Sequence, residues 1–235
     1  MKEFKQIFKN RNAMLLWASR TFSRFGDALE SLALMYLVYD LTGSALKMGT
    51  VMLFSFIPNI ILSPFAGVVA DKYNKKTIMV ITEIIRAISI LLIPFMMITH
   101  TIKIEYIYAI AFFVSIAESF YEPAYGVTVV STIEKNLIPI MNSLVTTSNS
   151  IAKGIGYIIS GILIASVGKE ILFAIDSLTF LFSAFVALII SIKKIELSQN
   201  KIKNTFMLDL KSGFSYVFKE KLILLLFSTI IFINF

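Results

Sequence analysis

Apolar residues in this chain come in long runs, not in strand-like alternation, and short polar turns interrupt them. The runs cover about residues 12–38, 45–70, 77–99, 105–128, 140–167 and 171–192, each near or above the roughly 20 residues an α-helix needs to cross a bilayer core. Asp40-Leu41-Thr42-Gly43-Ser44 separates the first two, and Asp71-Lys72-Tyr73-Asn74-Lys75-Lys76 the second and third. Both are tight polar turns with a residue that tolerates positive φ, so neighbouring helices are expected to be antiparallel. Leu222 to Phe235 is apolar again but too short for a span, so the chain is expected to end inside a seventh helix. The expected fold class is an all-α polytopic membrane protein. Residues 1–192 form a six-helix N-terminal bundle, 193–220 a cytoplasmic linker and 221–235 an incomplete seventh span. Within the linker, Asp209, Leu210, Phe214, Val217 and Phe218 suit an amphipathic helix on the membrane surface.

Composition agrees: 57% of the 235 residues are hydrophobic, 16% are charged, and the mean hydropathy is +0.81. With no Cys and a single His, His100, the chain lacks the means for disulfides, thiolate metal sites or paired-imidazole zinc sites. No metal, cofactor or enzymatic activity is expected. Gly168-Lys169-Glu170 lacks the upstream Gly and following Ser or Thr of a phosphate loop. The net charge of +7 is read as topology. Lys2, Lys5, Lys9, Arg11, Lys72, Lys75, Lys76, Lys135 and the lysines from Lys193 to Lys221 fall on one side, against Lys47, Lys103 and Lys169 on the other. By the positive-inside rule the N terminus is cytoplasmic, and the lipid bilayer, not nucleic acid, is the expected partner. The basic front Met1 to Arg11 is not read as a cleaved leader, because the following helix carries Arg20, Arg24, Asp27 and Glu30.

Ionisable groups inside a bilayer cost roughly 2.5–3.5 kcal/mol each on insertion scales and call for a partner, a water-filled cavity or a function. In the first span Arg20, Arg24 and Asp27 stand at i, i+4 and i+7, with Glu30 three further on. The fourth span carries Glu118 and Glu122, with Tyr121 and Tyr125 beside them and Pro123 following. On the fifth, Thr146, Asn149, Lys153, Tyr157 and Ser160 trace one face. A rise of about 1.5 Å per residue puts Asp27, Glu118 and Lys153 at one level, where Lys153 is expected to pair with Asp27 or Glu118. Two readings stand: a static interhelical salt bridge, or a proton- and substrate-coupling site with Tyr121, Tyr125, Asn149 and Tyr157 lining a cavity. Glu83 and Arg86, read near the cytoplasmic end of the third span, suit an intrahelical pair or snorkelling. Asp176 is read as interfacial. Ala152, Gly156 and Ser160 form a small-residue ridge for close approach of another helix.

Gly67-Val68-Val69-Ala70-Asp71-Lys72-Tyr73-Asn74-Lys75-Lys76 resembles the cytoplasmic loop signature of the major facilitator superfamily, G-x-x-x-D-R/K-x-G-R/K-R/K, with Asn74 at the usual Gly. Gly67 is read as permitting tight packing, Asp71 as accepting from the next helix's first N–H groups, and Lys72, Lys75 and Lys76 as anchoring the turn. Arg24-Phe25-Gly26-Asp27, Leu41-Thr42-Gly43-Ser44-Ala45 and Asp209-Leu210-Lys211-Ser212-Gly213-Phe214 resemble the macrolide-efflux-type and enterobactin-exporter-type branch. The resemblance implies the N-terminal bundle of the major facilitator fold, the linker and the start of a second bundle. Two elements of family antiporters are missing: an Arg in the fourth span, and the Pro of Gly-Pro-x-x-Gly-Gly in the fifth. Lys153 is a candidate for the positive charge that Arg supplies.

The expected function is secondary efflux of a drug-like or amphiphilic small molecule across the cell membrane by alternating access, coupled to protons on Asp27, Glu118 or Glu122. The alternative is a truncated or half-size membrane remnant or interaction protein, inactive without the missing C-terminal half or a partner chain.

Overall fold

The computed structural model describes residues 2–191, with side chains from residue 5 onward. The linker read at 193–220, its amphipathic stretch and the incomplete span at 221–235 lie outside the described residues. Every regular element described is helical: α1 (Lys2–Lys9), α2 (Arg11–Thr42), α3 (Ala45–Lys72), α4 (Lys75–Ile98), α5 (Ile104–Thr132), a 3-10 turn (Lys135–Leu137), α6 (Ile138–Val167) and α7 (Glu170–Ile189). Helices α3 to α7 are each long and apolar enough to cross a membrane. Helix α2, the longest at 32 residues, carries the charged stripe and packs at the centre of the bundle. The short α1 was not anticipated, because eight residues are too few to stand out as an apolar run. Its Lys5 and Lys9 are exposed, while Ile7 is buried in the core against the start of α2.

Local chemistry sets the turns. Asn10 caps α2 by accepting from the Ala13 N–H at 3.1 Å. Gly43 ends that helix in the left-handed region, φ 62°, its N–H reaching the Tyr39 carbonyl at 2.7 Å, and Ser44 caps α3. The second turn works differently from the expectation. Asn74 stands in extended geometry, φ −68° and ψ 113°, so it needs no left-handed tolerance. Its Oδ1 accepts from the N–H groups of Lys76 at 3.0 Å and Thr77 at 3.4 Å. The cap expected of Asp71 is therefore made by Asn74, and the exposed Asp71 offers only its backbone carbonyl, to Lys75 Nζ at 3.0 Å. Lys76 Nζ donates to the Ile190 carbonyl at the end of α7. The tight packing expected at Gly67 is absent: a Cβ there would meet nothing within 4 Å.

Helix α2 packs between α6 and α7, α4 between α5 and α7, and α3 along α5, while α3 touches its sequence neighbours α2 and α4 only lightly. Two glycines make the close approaches possible. A Cβ on Gly26 would lie 2.3 Å from Asp176 Oδ1 of α7, and one on Gly156 of α6 would lie 2.7 Å from the Ala28 Cβ of α2. Ala152, Gly156 and Ser160, the expected ridge, are all buried. Two apolar clusters fill the bundle. One gathers Leu16, Met79, Val129, Met141 and Val186, and the other Leu34, Ile93, Ile107, Leu172 and Phe173. On α2, α4 and α5 the buried charged residues fall in sequence where one cluster gives way to the other, so a polar belt separates two greasy ends.

Candidate functional site

The polar belt is an ion ladder built by α2, α4 and α5. Spacing by three and four brings Arg20, Arg24 and Asp27 of α2 onto one face, and Glu118 and Glu122 of α5 meet that face. Arg24 Nη1 donates to Asp27 Oδ2 at 2.8 Å and to Glu118 Oε1 at 2.9 Å, and its Nη2 donates to Glu122. Arg20 also donates to Glu122. On the other side of Asp27, Arg86 Nη2 of α4 donates to Oδ1 at 2.8 Å, and Arg86 Nη1 reaches Glu83 Oε2 at 3.4 Å. From Glu83 through Arg86, Asp27 and Arg24 the contacts alternate in sign, and Arg24 ends on two carboxylates, Glu118 and Glu122, the second of them shared with Arg20. Side-chain exposure is 0% at Glu83 and 2% at Arg86, 23% at Glu118 and 38% at Glu122, while Arg20 beside Glu122 is 5% exposed. One end of the ladder is therefore sealed in the bundle and the other is open.

The sealed end is finished by neutral groups. Ser183 Oγ of α7 donates to Glu83 Oε1 at 2.8 Å. A serine hydroxyl has one proton, so the Tyr121 hydroxyl, 3.2 Å away, donates to Ser183. The Phe180 ring lies 3.9 Å from the Arg86 guanidinium carbon, and Tyr121 and Tyr125 each lie 5.4 Å from that of Arg20. These rings supply negative faces where a buried guanidinium lacks oxygen partners. Three buried atoms on charged residues of the belt have no hydrogen-bond partner among the described residues, Arg20 Nη1, Arg86 Nε and Asp176 Oδ2.

Several expectations are corrected. Lys153 pairs with neither Asp27 nor Glu118: it is exposed on α6 and makes no ion pair among the described residues. The face of α6 toward α2 is Ala152, Gly156 and Ser160, and a helix turns about 100° per residue, which carries Lys153 off that face. Tyr121, fully buried, and Tyr125, 7% exposed, belong to the core, and Tyr125 donates to the Leu16 carbonyl at 3.3 Å. Tyr157 is 45% exposed, and Asn149 is partly buried with Oδ1 unpartnered. Glu30 makes no ion pair among the described residues and borders a cavity between α2 and α3. Of the two alternatives for Glu83 and Arg86 the intrahelical pair forms, at 3.4 Å, and Arg86 does not snorkel; Asp176 is fully buried against Gly26 instead of interfacial. Arg86, Glu83 and Ser183 are the members that sequence reasoning missed. The one available signal was an intramembrane Glu and Arg three apart, and a local pair already accounted for it.

A family model described as "transmembrane secretion effector" matches residues 6–234. An uncharacterized MFS-type transporter, YfiS, of Bacillus subtilis (strain 168) is 38% identical over 89 residues, which is 37% of this chain and 21% of that protein. Macrolide efflux protein A of Streptococcus pyogenes is 20% identical over 206 residues, which is 88% of this chain and 51% of that protein. The chain thus spans about half the length of the macrolide efflux relative and about a fifth of the Bacillus one.

Proposed function

This chain belongs to the transmembrane secretion effector family of the major facilitator superfamily, and from that premise we propose that the bundle is the N-terminal half of a secondary exporter of drug-like or amphiphilic small molecules. It is a multi-pass membrane protein and not an enzyme. In the proposed working form it sits in the cell membrane with its N terminus cytoplasmic, and two halves rock about a midplane site exposed alternately to each side. The second half comes from the rest of a longer chain or from a partner, because one bundle supplies only one wall of the path. By itself the described bundle is inactive on this reading.

The observation that carries the proposal is the ladder. Its three guanidiniums, Arg20, Arg24 and Arg86, face four carboxylates, Asp27, Glu83, Glu118 and Glu122, and Glu30 and Asp176 lie near it. Negative charge exceeds positive inside a medium that penalises unpaired charge, so binding a proton or a cation neutralises the excess. Arg24 bridges α2 to both glutamates of α5, and a proton on either glutamate removes one of its anionic partners and loosens α2 from α5. Proton uptake at the open end is thereby tied to movement between helices.

A second observation supports a path wall. Thr146, Lys153 and Tyr157 are exposed on α6 and Asn149 is partly so, at about mid-span. A lysine at that depth is too costly to face hydrocarbon, which turns this face toward water or toward the second half.

Replacing Asp27 by Asn in the intact transporter tests the coupling. Proton-driven efflux from energised vesicles is expected to be lost at unchanged expression; undiminished extrusion removes Asp27 from the mechanism.

A further inference from the structure

Helices α2 and α3 follow one another through a tight turn, yet they touch only lightly, and their halves nearest that turn enclose a cavity of about 150 Å³. Glu30 borders it from α2, and around it stand the thioethers of Met35, Met48 and Met52 and the ring of Phe56. Glu30 makes no hydrogen bond or ion pair among the described residues. The charged groups that bear on it most are Asp27 and Glu118, of like sign, and Arg86, whose Nη1 and Nη2 are committed to Glu83 and Asp27.

We infer that this cavity is a binding site for the positively charged head of a small organic amine, distinct from the ladder that carries the coupling proposal. A carboxylate with no cation at ion-pair distance among the described residues supplies the charge, while Asp27 and Glu118 nearby are already paired with Arg24 and Arg86. Thioethers are polarizable and adapt to shape, and an aromatic ring attracts a cation to its face. A hard metal ion asks instead for a shell of oxygens, and the wall offers only Glu30, Ser31 and Ser55 as side-chain oxygen donors. Size narrows the class further: an engineered protein cavity of about this volume admits benzene. A trimethylammonium or pyridinium head fits, and a tetraphenylphosphonium does not. The methionine wall grips whatever alkyl groups surround the charge, so selectivity lies in charge and head size, not in hydrogen-bond pattern.

As a substrate subsite this rests on the exporter reading; as a binding site it does not, so binding and efflux are measured separately. The test is calorimetric titration of the purified chain in uncharged detergent with benzyltrimethylammonium, with benzenesulfonate and tetraphenylphosphonium for comparison. Saturable binding of benzyltrimethylammonium alone is expected, weakened by about tenfold or more in Glu30→Gln. Ser55→Phe, which fills the cavity and leaves Glu30 in place, is expected to abolish it. No saturable binding by the unaltered chain, equal binding of benzenesulfonate, or full binding in Ser55→Phe overturns the site. Should Glu30→Gln melt early, Ser55→Phe decides alone. Binding lost in Ser55→Phe while the whole transporter still extrudes the amine leaves the exporter and removes the subsite role. Binding intact in a whole protein that extrudes nothing leaves the site and removes the exporter.

Discussion

Arg86 of α4 donates to Asp27 of α2 at 2.8 Å while the same guanidinium reaches Glu83 on its own helix, so one side chain pins two helices and satisfies two carboxylates in the bundle interior. It is 2% exposed, and the Phe180 ring closes over it. Nothing else described donates to Asp27 Oδ1, and Asp27 Oδ2 depends on Arg24. The carboxylate is therefore divided between Arg86 of α4 and Arg24 of its own helix, and Arg24 continues to Glu118 and Glu122 of α5.

Removing Arg86 leaves Asp27 Oδ1 and Glu83 Oε2 without their cation. Arg86→Gln is expected to destabilise the bundle by about 3–5 kcal/mol, the range for breaking one side of a buried pair. Adding Asp27→Asn is expected to recover part of that loss, because the uncompensated charge goes with it. Thermal melting of the two single variants and the double variant in detergent forms the cycle, and strict additivity excludes the coupling.

The helix–helix approach at Gly26 gives a sharper contrast. A Cβ there falls 2.3 Å from both Asp176 Oδ1 and Thr179 Oγ1, whereas one at Gly154 meets nothing within 4 Å. Gly26→Ala is expected to cost about 1–3 kcal/mol through forced separation of α2 and α7. Gly154→Ala is expected to gain up to about 1 kcal/mol from helix propensity alone. Melting temperatures that move the same way in both variants contradict the packing.

Much of this architecture was legible because the membrane imposes a length. An unbroken apolar run is a span whatever its neighbours, so the six long helices follow from run lengths, and the stripe on α2 follows from spacing within one helix. What escaped needed rotation about an axis and the choice of neighbour. Depth put Lys153 level with Asp27, but depth says nothing of azimuth, and the small residues of α6 took the face toward α2. Tyr121 stands one position before Glu122 and Tyr125 three after it, yet each is turned into the core, while Glu118 and Glu122 meet arginines. Arg86 looked satisfied by Glu83, and only the reach of its long side chain from α4 to α2 shows Asp27 as its nearer acceptor. In the turn after α3, a family pattern suggested Asp71 as the cap, while Asn74 stands at the residue directly before α4, where a side chain reaches the free N–H groups.

That last assignment separates two neighbouring residues. Asn74→Ala is expected to cost about 1 kcal/mol, because the N–H groups of Lys76 and Thr77 lose their acceptor, and Asn74→Gly only a few tenths. Asp71→Ala, whose side chain makes no hydrogen bond among the described residues, is expected to leave the stability of the bundle within about 0.5 kcal/mol. Equal losses at both positions contradict the capping geometry, and melting of the three variants side by side decides it.

Exposure on α6 has two meanings, and they can be told apart chemically. Lys153 and Tyr157 are exposed on one side of the helix, and Ile162, 63% exposed, lies about half a turn around from Lys153. A charged group at that depth needs water or a partner, whereas an isoleucine is content in hydrocarbon. These 235 residues contain no Cys, so once any thiol of the other half is removed a single introduced one reports alone. Lys153→Cys in vesicles of the intact transporter is expected to react with a charged, membrane-impermeant maleimide from at least one side, and Ile162→Cys is expected to stay unlabelled. An added transport substrate is expected to slow labelling at Lys153 by occupying or closing the path. Rapid labelling at Ile162, or none at Lys153 from either side, excludes the assignment of this face to the path, because a thiol is modified only where water brings the reagent and supports the thiolate.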